Sequence, residues 1–445
     1  MKHLKTVVLL ALALALNTVA QNTSSCTEQC LEKQSFFIKD NDRVVFLGDS
    51  ITEQRLYTTY IEAYALTRFP EYNLLFRNTG WGGDTAWLRR RTKIDDSKLF
   101  AATGETLDKM VIDNVHKGLE RDVLPLKPTV VTVKFGMNDH AYQPFRADIF
   151  RAYKRSQEEI IRTLKQSGAR VALLTPQPIE EVKVDPKTDP RNLSLRQFSD
   201  GLKEIAATED ALFADQFAPY MQIITEHKRT DGKTVGEGDA VHPGPCGHTL
   251  MAWAILKELN APALVSSVII DASVRWYHLF SERVESTENC AVSNVTYKDG
   301  VLAFDRLDNA LPMPIDKRAL NALKLARINC ELNRYPLRVK GLPDGKYEIS
   351  IDGEKVTEVE SKEGKVCVNL AKFATPASKQ SDSILELVFK KNNVYYDRWR
   401  SIQLKNPNDP KLADMDRKIA DLEAQINELR KPVSHHFVIK PTDQP

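Results

Sequence analysis

Residues 43–52 read RVVFLGDSIT, an apolar run that passes through Gly48-Asp49-Ser50 into a stretch with helical spacing. A short β-branched run of this kind is typical of a strand buried on both faces of a parallel sheet. A serine at the turn from such a strand to a helix has an exposed hydroxyl, and its backbone N–H lies near a helix N-terminus. Ser50 is therefore a candidate nucleophile, and its alternative role is the N-cap of the following helix.

The same alternation of short apolar runs and helical stretches continues along the chain to residue 259. The predicted strands are Arg43–Leu47, Asn73–Arg77, Thr129–Phe135, Arg170–Leu174 and Ala211–Asp215. The helical spacing covers Arg55–Arg68, Ala147–Gln166, Leu193–Ala207 and Pro245–Leu259. This alternation predicts right-handed βαβ units in a three-layer α/β sandwich, where functional sites form at the carboxyl ends of the strands.

Two further strand ends carry candidate oxyanion donors. The second strand is followed by a glycine-rich turn, Gly80-Trp81-Gly82-Gly83-Asp84-Thr85, in which Thr85 replaces the third glycine of a dinucleotide-binding fingerprint. A glycine here lets a backbone N–H approach a reacting oxygen. The third strand ends before Asn138, whose amide donates N–H without competing as a base. The turn therefore favours an oxyanion site over a cofactor site.

A candidate acid–base pair follows in Asp239-Ala240-Val241-His242-Pro243. In a tight loop the Asp239 carboxylate can accept the Nδ1–H of His242, which leaves Nε2 free to take a proton from a serine. The same spacing is also common in a plain loop ion pair. Asp239 and His242 therefore indicate a catalytic pair only in combination with Ser50.

Taken in order, the four segments resemble the motif blocks of the SGNH, or GDSL-type, hydrolase family. The resemblance spans about residues 40–260 and implies a flavodoxin-like sheet of strand order 2-1-3-4-5 with no cofactor and no metal. It also implies that Ser50 is the nucleophile of a serine esterase, His242 its base and Asp239 the residue that orients His242. Gly83, chosen for its place before Asp84-Thr85, and Asn138 would complete the oxyanion hole with the Ser50 N–H. Long excursions at Leu88–Val123 and Ile179–Arg191 depart from the family pattern and leave the substrate class open.

The second half of the chain has a different sequence pattern. From Cys290 to Leu404 short alternating segments occur with three Asp-Gly pairs, at 299–300, 344–345 and 352–353, which favour hairpins. Further on, a seam of apolar residues follows a heptad pattern that predicts a helix able to pair with a partner chain or to lie in a groove of its own protein. The seam consists of Leu412, Met415, Ile419, Leu422, Ile426 and Leu429. We expect a hydrolase domain at 37–265, a β-sandwich-like module at 290–405 and a heptad helix at 410–431.

The N-terminus predicts export. Lys2 and Lys5 precede ten apolar residues, 7–16, and Ala20 ends a small-residue site, which is typical of a signal peptide at 1–20. We therefore expect a secreted or periplasmic protein with no membrane span. In an oxidising compartment Cys26 with Cys30, and a pair among Cys290, Cys330 and Cys367, are candidate disulfides, although six cysteines in the mature chain are too sparse for a disulfide framework.

Composition excludes several classes of function. The chain has 445 residues, 42% of them hydrophobic, and its 62 Lys and Arg against 60 Asp and Glu leave a formal charge of +2. A protein that binds nucleic acid by neutralising phosphates needs a strong basic excess, so none is expected as a partner.

Several other residues are weaker candidates. His435-His436 is expected to be solvated surface, Glu180-Glu181 a solvated loop pair, and Cys246 structural, while Trp81 and Trp87 can pack in the core or stack on a sugar.

We therefore expect an enzyme that hydrolyses acyl esters, with acetyl or short-chain esters on carbohydrate, such as an acetylated polysaccharide, as the leading substrate. A lysophospholipase or thioesterase is the alternative enzyme. A non-catalytic carbohydrate- or envelope-binding protein is the alternative of another class.

Overall fold

The computed structural model describes residues 35–273 and 283–442. The expected signal peptide, Cys26 and Cys30 lie outside the described residues. Within the described ranges no helix is long and apolar enough to cross a bilayer.

Five parallel strands form the first sheet, in the order β2-β1-β3-β4-β5, as the family resemblance implies. They are β1 (Arg43–Gly48), β2 (Leu75–Asn78), β3 (Val130–Lys134), β4 (Arg170–Leu174) and β5 (Leu212–Ala214). Side chains alternate across this sheet: Val44 and Phe46 belong to one apolar cluster, and Val45 and Leu47 belong to another on the opposite face. Both faces are therefore buried, which explains the unbroken apolar run at 43–47.

Within residues 35–273, nine α-helices accompany this sheet. They are α1 (Ser50–Glu53), α2 (Leu56–Arg68), α3 (Arg89–Thr92), α4 (Asp96–Ala101), α5 (Gly104–Asp122), α6 (Ala147–Gln166), α7 (Pro190–Thr208), α8 (Phe217–Glu226) and α9 (Pro245–Glu258). Apolar residues of α2, α8 and α9 pack on one face, and those of α5, α6 and α7 pack on the other. The predicted three-layer α/β/α architecture is confirmed. The excursion at 88–123 folds as α3, α4 and α5.

Two further sheets form a β-sandwich. One has the order β13-β10-β6-β7, and the other has the order β12-β11-β14-β9-β8. Their strands are β6 (Ser267–Asp271), β7 (Val284–Glu288), β8 (Cys290–Lys298), β9 (Val301–Asp308), β10 (Pro336–Lys340), β11 (Gly345–Ile351), β12 (Glu354–Ser361), β13 (Lys365–Asn369) and β14 (Ser434–Pro441). Apolar side chains from both sheets form one buried cluster between them. The sandwich takes strands from outside 290–405, because β6, β7 and β14 belong to its sheets.

Two of the three Asp-Gly pairs form the expected tight hairpins. Asp299-Gly300 joins β8 to β9 and Asp352-Gly353 joins β11 to β12, and both residues of each pair have positive φ. Asp344-Gly345 differs, because it connects β10 to β11 and these strands lie in different sheets. That pair is a crossing between the layers of the sandwich and not a hairpin turn.

Helices interrupt the region where only strands are expected. Two short helices, α10 (Ala322–Leu325) and α11 (Ile328–Glu331), precede β10, and a long helix, α12 (Pro376–Tyr396), follows β13. A π-helical turn, Asp397–Gln403, ends α12, and α13 (Lys411–Leu429) then packs against α12. Helix α12 also packs against α2, so this helical segment links the sandwich to the α/β domain.

The heptad helix exists as predicted and its seam faces the protein itself. Leu412, Ile419 and Ile426 are buried, while the intervening positions of α13 are largely exposed. Ile419 packs against Tyr395 and Trp399, which belong to the preceding helical segment. Of the two expectations for the seam, the structure favours a helix lying in a groove of its own chain.

The four described cysteines are free thiols, so the candidate disulfide among Cys290, Cys330 and Cys367 is not present. Cys330 and Cys367 are exposed, and Cys290 is half-buried and donates to the Ser267 carbonyl.

Candidate active site

Three neighbouring strands deliver the candidate residues to one edge of the parallel sheet. Ser50 follows β1, Gly83 lies in the turn after β2, and Asn138 lies in the turn after β3. Because β2, β1 and β3 are adjacent and parallel, their carboxyl ends meet at the same edge. The β1 edge is also where the sheet order reverses, which is the usual position of a site in this architecture.

Ser50 is the first residue of α1 and does not act as its cap. Asp49 is the N-cap, and its carboxylate accepts the N–H of Ile51 at 3.0 Å. The Ser50 hydroxyl is therefore released from capping, and its Oγ lies 2.9 Å from Nε2 of His242. That distance is a hydrogen bond, which is the contact a serine nucleophile requires from its base.

His242 is oriented by Asp239 from an exposed loop. Nδ1 of His242 lies 3.3 Å from Oδ2 of Asp239, while Oδ1 of Asp239 accepts the N–H groups of Val241 and His242, both at 2.7 Å. Partial burial raises the pKa of Asp239, but these N–H donors and the nearby imidazole outweigh burial and leave the pKa lowered. The carboxylate is therefore ionised at neutral pH and favours the tautomer with a proton on Nδ1.

The second and third turns present the candidate oxyanion donors. Gly83 has φ of +73°, a conformation in which glycine is favoured, and its N–H donates to no described residue. The Asn138 amide is 8% exposed; its Nδ2 donates to the Asp84 carbonyl at 2.9 Å, and its Oδ1 accepts from the Tyr142 hydroxyl at 3.2 Å. One N–H of the Asn138 amide remains to meet a substrate oxygen.

Two buried carboxylates that the sequence analysis did not single out hold these turns together. Asp139 accepts the N–H of Ala86 at 2.7 Å and that of Gly136 at 2.8 Å, and burial raises its pKa to about 7. Asp84 accepts from Nε of Arg91 at 2.7 Å. Burial raises the pKa of Asp84 although Arg91 opposes that change. The Gly-Asp and Asn-Asp pairs in the two turns were the available signal for both residues.

A third missed residue, Glu53, joins the site to the C-terminal helical segment. Its Oε2 accepts the N–H of Gly82 at 2.7 Å, and its Oε1 accepts from the Tyr396 hydroxyl at 3.0 Å and from Nε of Arg400 at 3.3 Å. The guanidinium of Arg400 also lies 3.7 Å from the centre of the Trp81 ring. Trp81 therefore supports an arginine on one face, where the sequence analysis offered a sugar or the core.

The weaker candidates occupy structural positions. Trp87 is buried in the core, and Glu180 accepts N–H groups of a neighbouring loop. His435 and His436 pair with separate aspartates, and no group of three potential metal ligands occurs among the described residues. Burial raises the pKa of the Cys246 thiol to about 12, which makes it a poor nucleophile.

Comparison with known proteins agrees with this geometry. Residues 46–250 match the model of the GDSL-like lipase/acylhydrolase family. An acetylxylan esterase of Geobacillus stearothermophilus is 23% identical over 244 residues, which are 50% of this chain and 96% of that relative. A solved structure of that esterase, 22% identical, gives a TM-score of 0.37 and covers 49% of this chain and 94% of its own.

A solved structure of a gut microbial diltiazem-metabolizing enzyme extends the likeness beyond the α/β domain. It is 24% identical, has a TM-score of 0.73, and covers 91% of this chain and 98% of its own. The fold of almost the whole chain therefore recurs in another protein.

The match to the family model indicates the class of protein, an acyl ester hydrolase. More particularly, residues 46–250 are similar to the GDSL-like lipase/acylhydrolase family, also known as SGNH hydrolases.

Proposed function

We propose that the protein is an exported serine esterase that removes acetyl or other short acyl groups from carbohydrate. The observation that carries the proposal is the 2.9 Å contact between Ser50 Oγ and His242 Nε2 beside Gly83 and Asn138. The similarity to an acetylxylan esterase supports the acetylated carbohydrate as substrate.

The geometry supports acyl transfer in two steps. Ser50 Oγ attacks the ester carbonyl while His242 Nε2 takes the hydroxyl proton, and the N–H groups of Ser50, Gly83 and Asn138 stabilise the oxyanion. Collapse of the tetrahedral intermediate breaks the bond to the alcohol oxygen, which receives the proton from His242. Water then attacks the acyl-enzyme by the same route, releases the carboxylic acid and regenerates Ser50.

The surroundings of the site favour a small acyl group and a polar alcohol. The cavity beside Gly83 has a volume of about 700 Å³, and most of its lining side chains are charged. A long alkyl chain would have to displace the hydration of these charges, which is unfavourable. This environment supports the carbohydrate esterase over the lysophospholipase or thioesterase alternative.

The decisive experiment compares Ser50→Ala with the wild type on 4-nitrophenyl esters of two to twelve carbons. We expect the variant to lose about 10⁴-fold or more in kcat/KM, since the nucleophile is absent. Wild-type activity in Ser50→Ala would refute the mechanism, and a wild-type rate peak at eight or more carbons would refute the short-acyl substrate. Failure to react with a fluorophosphonate probe, combined with polysaccharide binding, would instead support a non-catalytic binding protein.

Export is tested separately. N-terminal sequencing of the mature protein from cells expressing the full chain should begin at Gln21, following cleavage after Ala20. A retained Met1 or Lys2 at the N-terminus would contradict export through this segment.

A further inference from the structure

The cavity beside Gly83 carries an excess of positive charge. Four basic residues line it, together with two acidic ones, so the lining charge is +4 − 2 = +2. The basic residues are Arg89, Arg90, Lys93 and Arg400, and the acidic residues are Asp95 and Asp96. Gly83 lines the cavity, so this charge lies beside one of the candidate oxyanion donors.

The two acidic residues are already engaged by the protein. Asp95 caps α4 by accepting the N–H groups of Ser97 and Lys98. Asp96 accepts from the Trp87 indole at 2.8 Å and from Arg89 at 2.9 Å. Arg89 and Asp96 therefore form an ion pair within the wall, and the Asp95 carboxylate is held at the N-terminus of α4.

Arg90 and Lys93 retain charge that can act on a ligand, while Arg400 forms an ion pair with Glu53 through Nε alone. In the described part of the chain, the Arg90 guanidinium and the Lys93 ammonium make no ion pair or hydrogen bond. Arg400 contacts Glu53 only through Nε and lies flat on Trp81, so its position is fixed while its outer nitrogens remain available.

Arg90 lies beside Gly83. A Cβ atom placed on Gly83 would lie 3.7 Å from Cδ and Nε of Arg90, so the arginine runs alongside the candidate oxyanion donor. An anionic substituent bound in the cavity beside Gly83 would therefore meet Arg90. Arg400 would reach the same substituent from the C-terminal half of the molecule.

We propose that this cavity is a subsite for a carboxylate of the substrate, so that the enzyme acts on acyl esters of an acidic carbohydrate such as a uronate-containing glycan. The inference rests on the proposed esterase function and adds the charge of the alcohol part. A uronate carboxylate is ionised at neutral pH, and the guanidinium groups of Arg90 and Arg400 match its planar geometry.

The test uses two substrates that differ only in charge: an O-acetylated methyl glucuronoside as the free acid and the same compound as its primary amide. Acetate release is measured at pH 7 in low salt and in 0.5 M NaCl, conditions over which screening increases strongly. For the wild type we expect kcat/KM to favour the acid by about tenfold in low salt, and this preference should shrink in high salt.

The variant Arg90→Gln/Lys93→Gln should bring the acid-to-amide ratio close to one, and Arg400→Gln should lower it in part. The ratio is measured within one preparation, so it does not depend on how much of a variant is folded. Arg196→Gln/Lys203→Gln is the matched control, because both side chains are exposed on α7 outside the cavity and it removes the same charge. The control should keep the wild-type ratio.

Three outcomes would overturn the subsite: a wild-type ratio near one, a preference for the amide, or an unchanged ratio in Arg90→Gln/Lys93→Gln. In these cases hydrolysis of the amide and of 4-nitrophenyl acetate would show that the esterase proposal still stands. If the wild type hydrolysed none of these esters, both proposals would be overturned together.

Discussion

The Asn138 amide is held by hydrogen bonds with the Asp84 carbonyl and the Tyr142 hydroxyl. A substitution of Asn138 therefore tests the proposed oxyanion site. Replacing it with alanine should lower kcat by about 10²–10³-fold, or roughly 3–4 kcal/mol, because a preorganised donor is lost where charge develops. Tyr142→Phe should cost much less, since it removes only the 3.2 Å bond to the Asn138 oxygen. Steady-state kinetics on 4-nitrophenyl acetate measures both effects, and an equal loss in the two variants would contradict the assigned role of the amide.

His140, which follows the Asn-Asp pair, should make the stability of the protein depend on pH. It is buried, neither ring nitrogen has a hydrogen-bond partner, and burial lowers its pKa to about 4 from 6.5. The unfolded chain binds a proton near pH 6.5 while the folded chain stays neutral until about pH 4. Stability is therefore lost as the pH falls through this range, by up to about 3 kcal/mol.

His140→Phe should remove this loss without breaking a hydrogen bond. Urea unfolding at pH 7 and pH 4.5 should show that the wild type loses about 2 kcal/mol more than the variant between the two conditions. His227→Gln is the control, because His227 is exposed, and its pH dependence should parallel that of the wild type. Equal pH dependence in His140→Phe and the wild type would exclude His140 as the cause.

Local sequence points to the candidate reacting groups more readily than to the groups that hold them. Ser50, His242 and Asn138 follow apolar strands or lie in short recognisable segments, so their chemistry can be inferred from local pattern. Glu53 could not be found in this way, because its partner Tyr396 is 343 residues away and lies on a helix whose packing is tertiary.

At the level of elements, α13 should stabilise the molecule and not bind a second copy. Ile419 is 3% exposed and packs against Tyr395 and Trp399, so Ile419→Asp would bury an uncompensated charge. We expect it to lower the free energy of unfolding by about 3 kcal/mol or more. Ala420→Asp, at an exposed position of the same helix, should change it by less than about 0.5 kcal/mol.

Gel filtration of the same two variants gives a second measure. The folded wild type and both variants should elute at the same volume, since the apolar seam is covered within the chain. A wild-type dimer that dissociates in Ile419→Asp would instead show that the seam joins two protomers. Truncation before Pro410 is a poorer test, because it also removes β14 from the middle of a sheet.

The elements differ in how well local sequence determines them. The limits of α6 agree with prediction because its apolar spacing is regular over the whole helix. Helix α12 was not predicted, because it lies among segments that alternate like strands. Its start nevertheless carries a helix signal, a capping box formed by Thr375 and Ser378 around Pro376. Asp344-Gly345 has the sequence of a hairpin, but long-range pairing places its two strands in different sheets. The residues of a turn determine its local conformation, whereas packing in the core determines which strands pair.

Across the whole molecule, a buried ion pair joins the two halves. Lys391 on α12 donates to Glu62 on α2, and Asn392 donates to the other Glu62 oxygen at 2.9 Å. Both charged side chains are almost fully buried; burial raises the pKa of Glu62 and lowers that of Lys391, while each opposes the change in the other. The C-terminal helices are therefore part of the hydrolase core.

Lys391→Met should destabilise the protein by about 3–5 kcal/mol, because it leaves Glu62 buried without its cation. The double variant Glu62→Gln/Lys391→Met removes both charges and should recover much of that loss. Urea unfolding of the two variants at pH 7 measures the difference. If the double variant were no more stable than the single one, an unpaired Glu62 carboxylate would not be the cause of the loss.

Strand β14 imposes an order on the biogenesis of this protein. It lies between β11 and β9, so these two strands leave the ribosome with open edges that only residues 434–441 can close. At ~5–20 residues per second, β14 is synthesised roughly 4 to 18 seconds after β11. Open edges of this kind recruit strands from other chains. A nascent chain kept unfolded until its last segment is made would avoid that hazard, and a nonsense mutation a few residues before 434 would produce aggregates instead of a smaller enzyme.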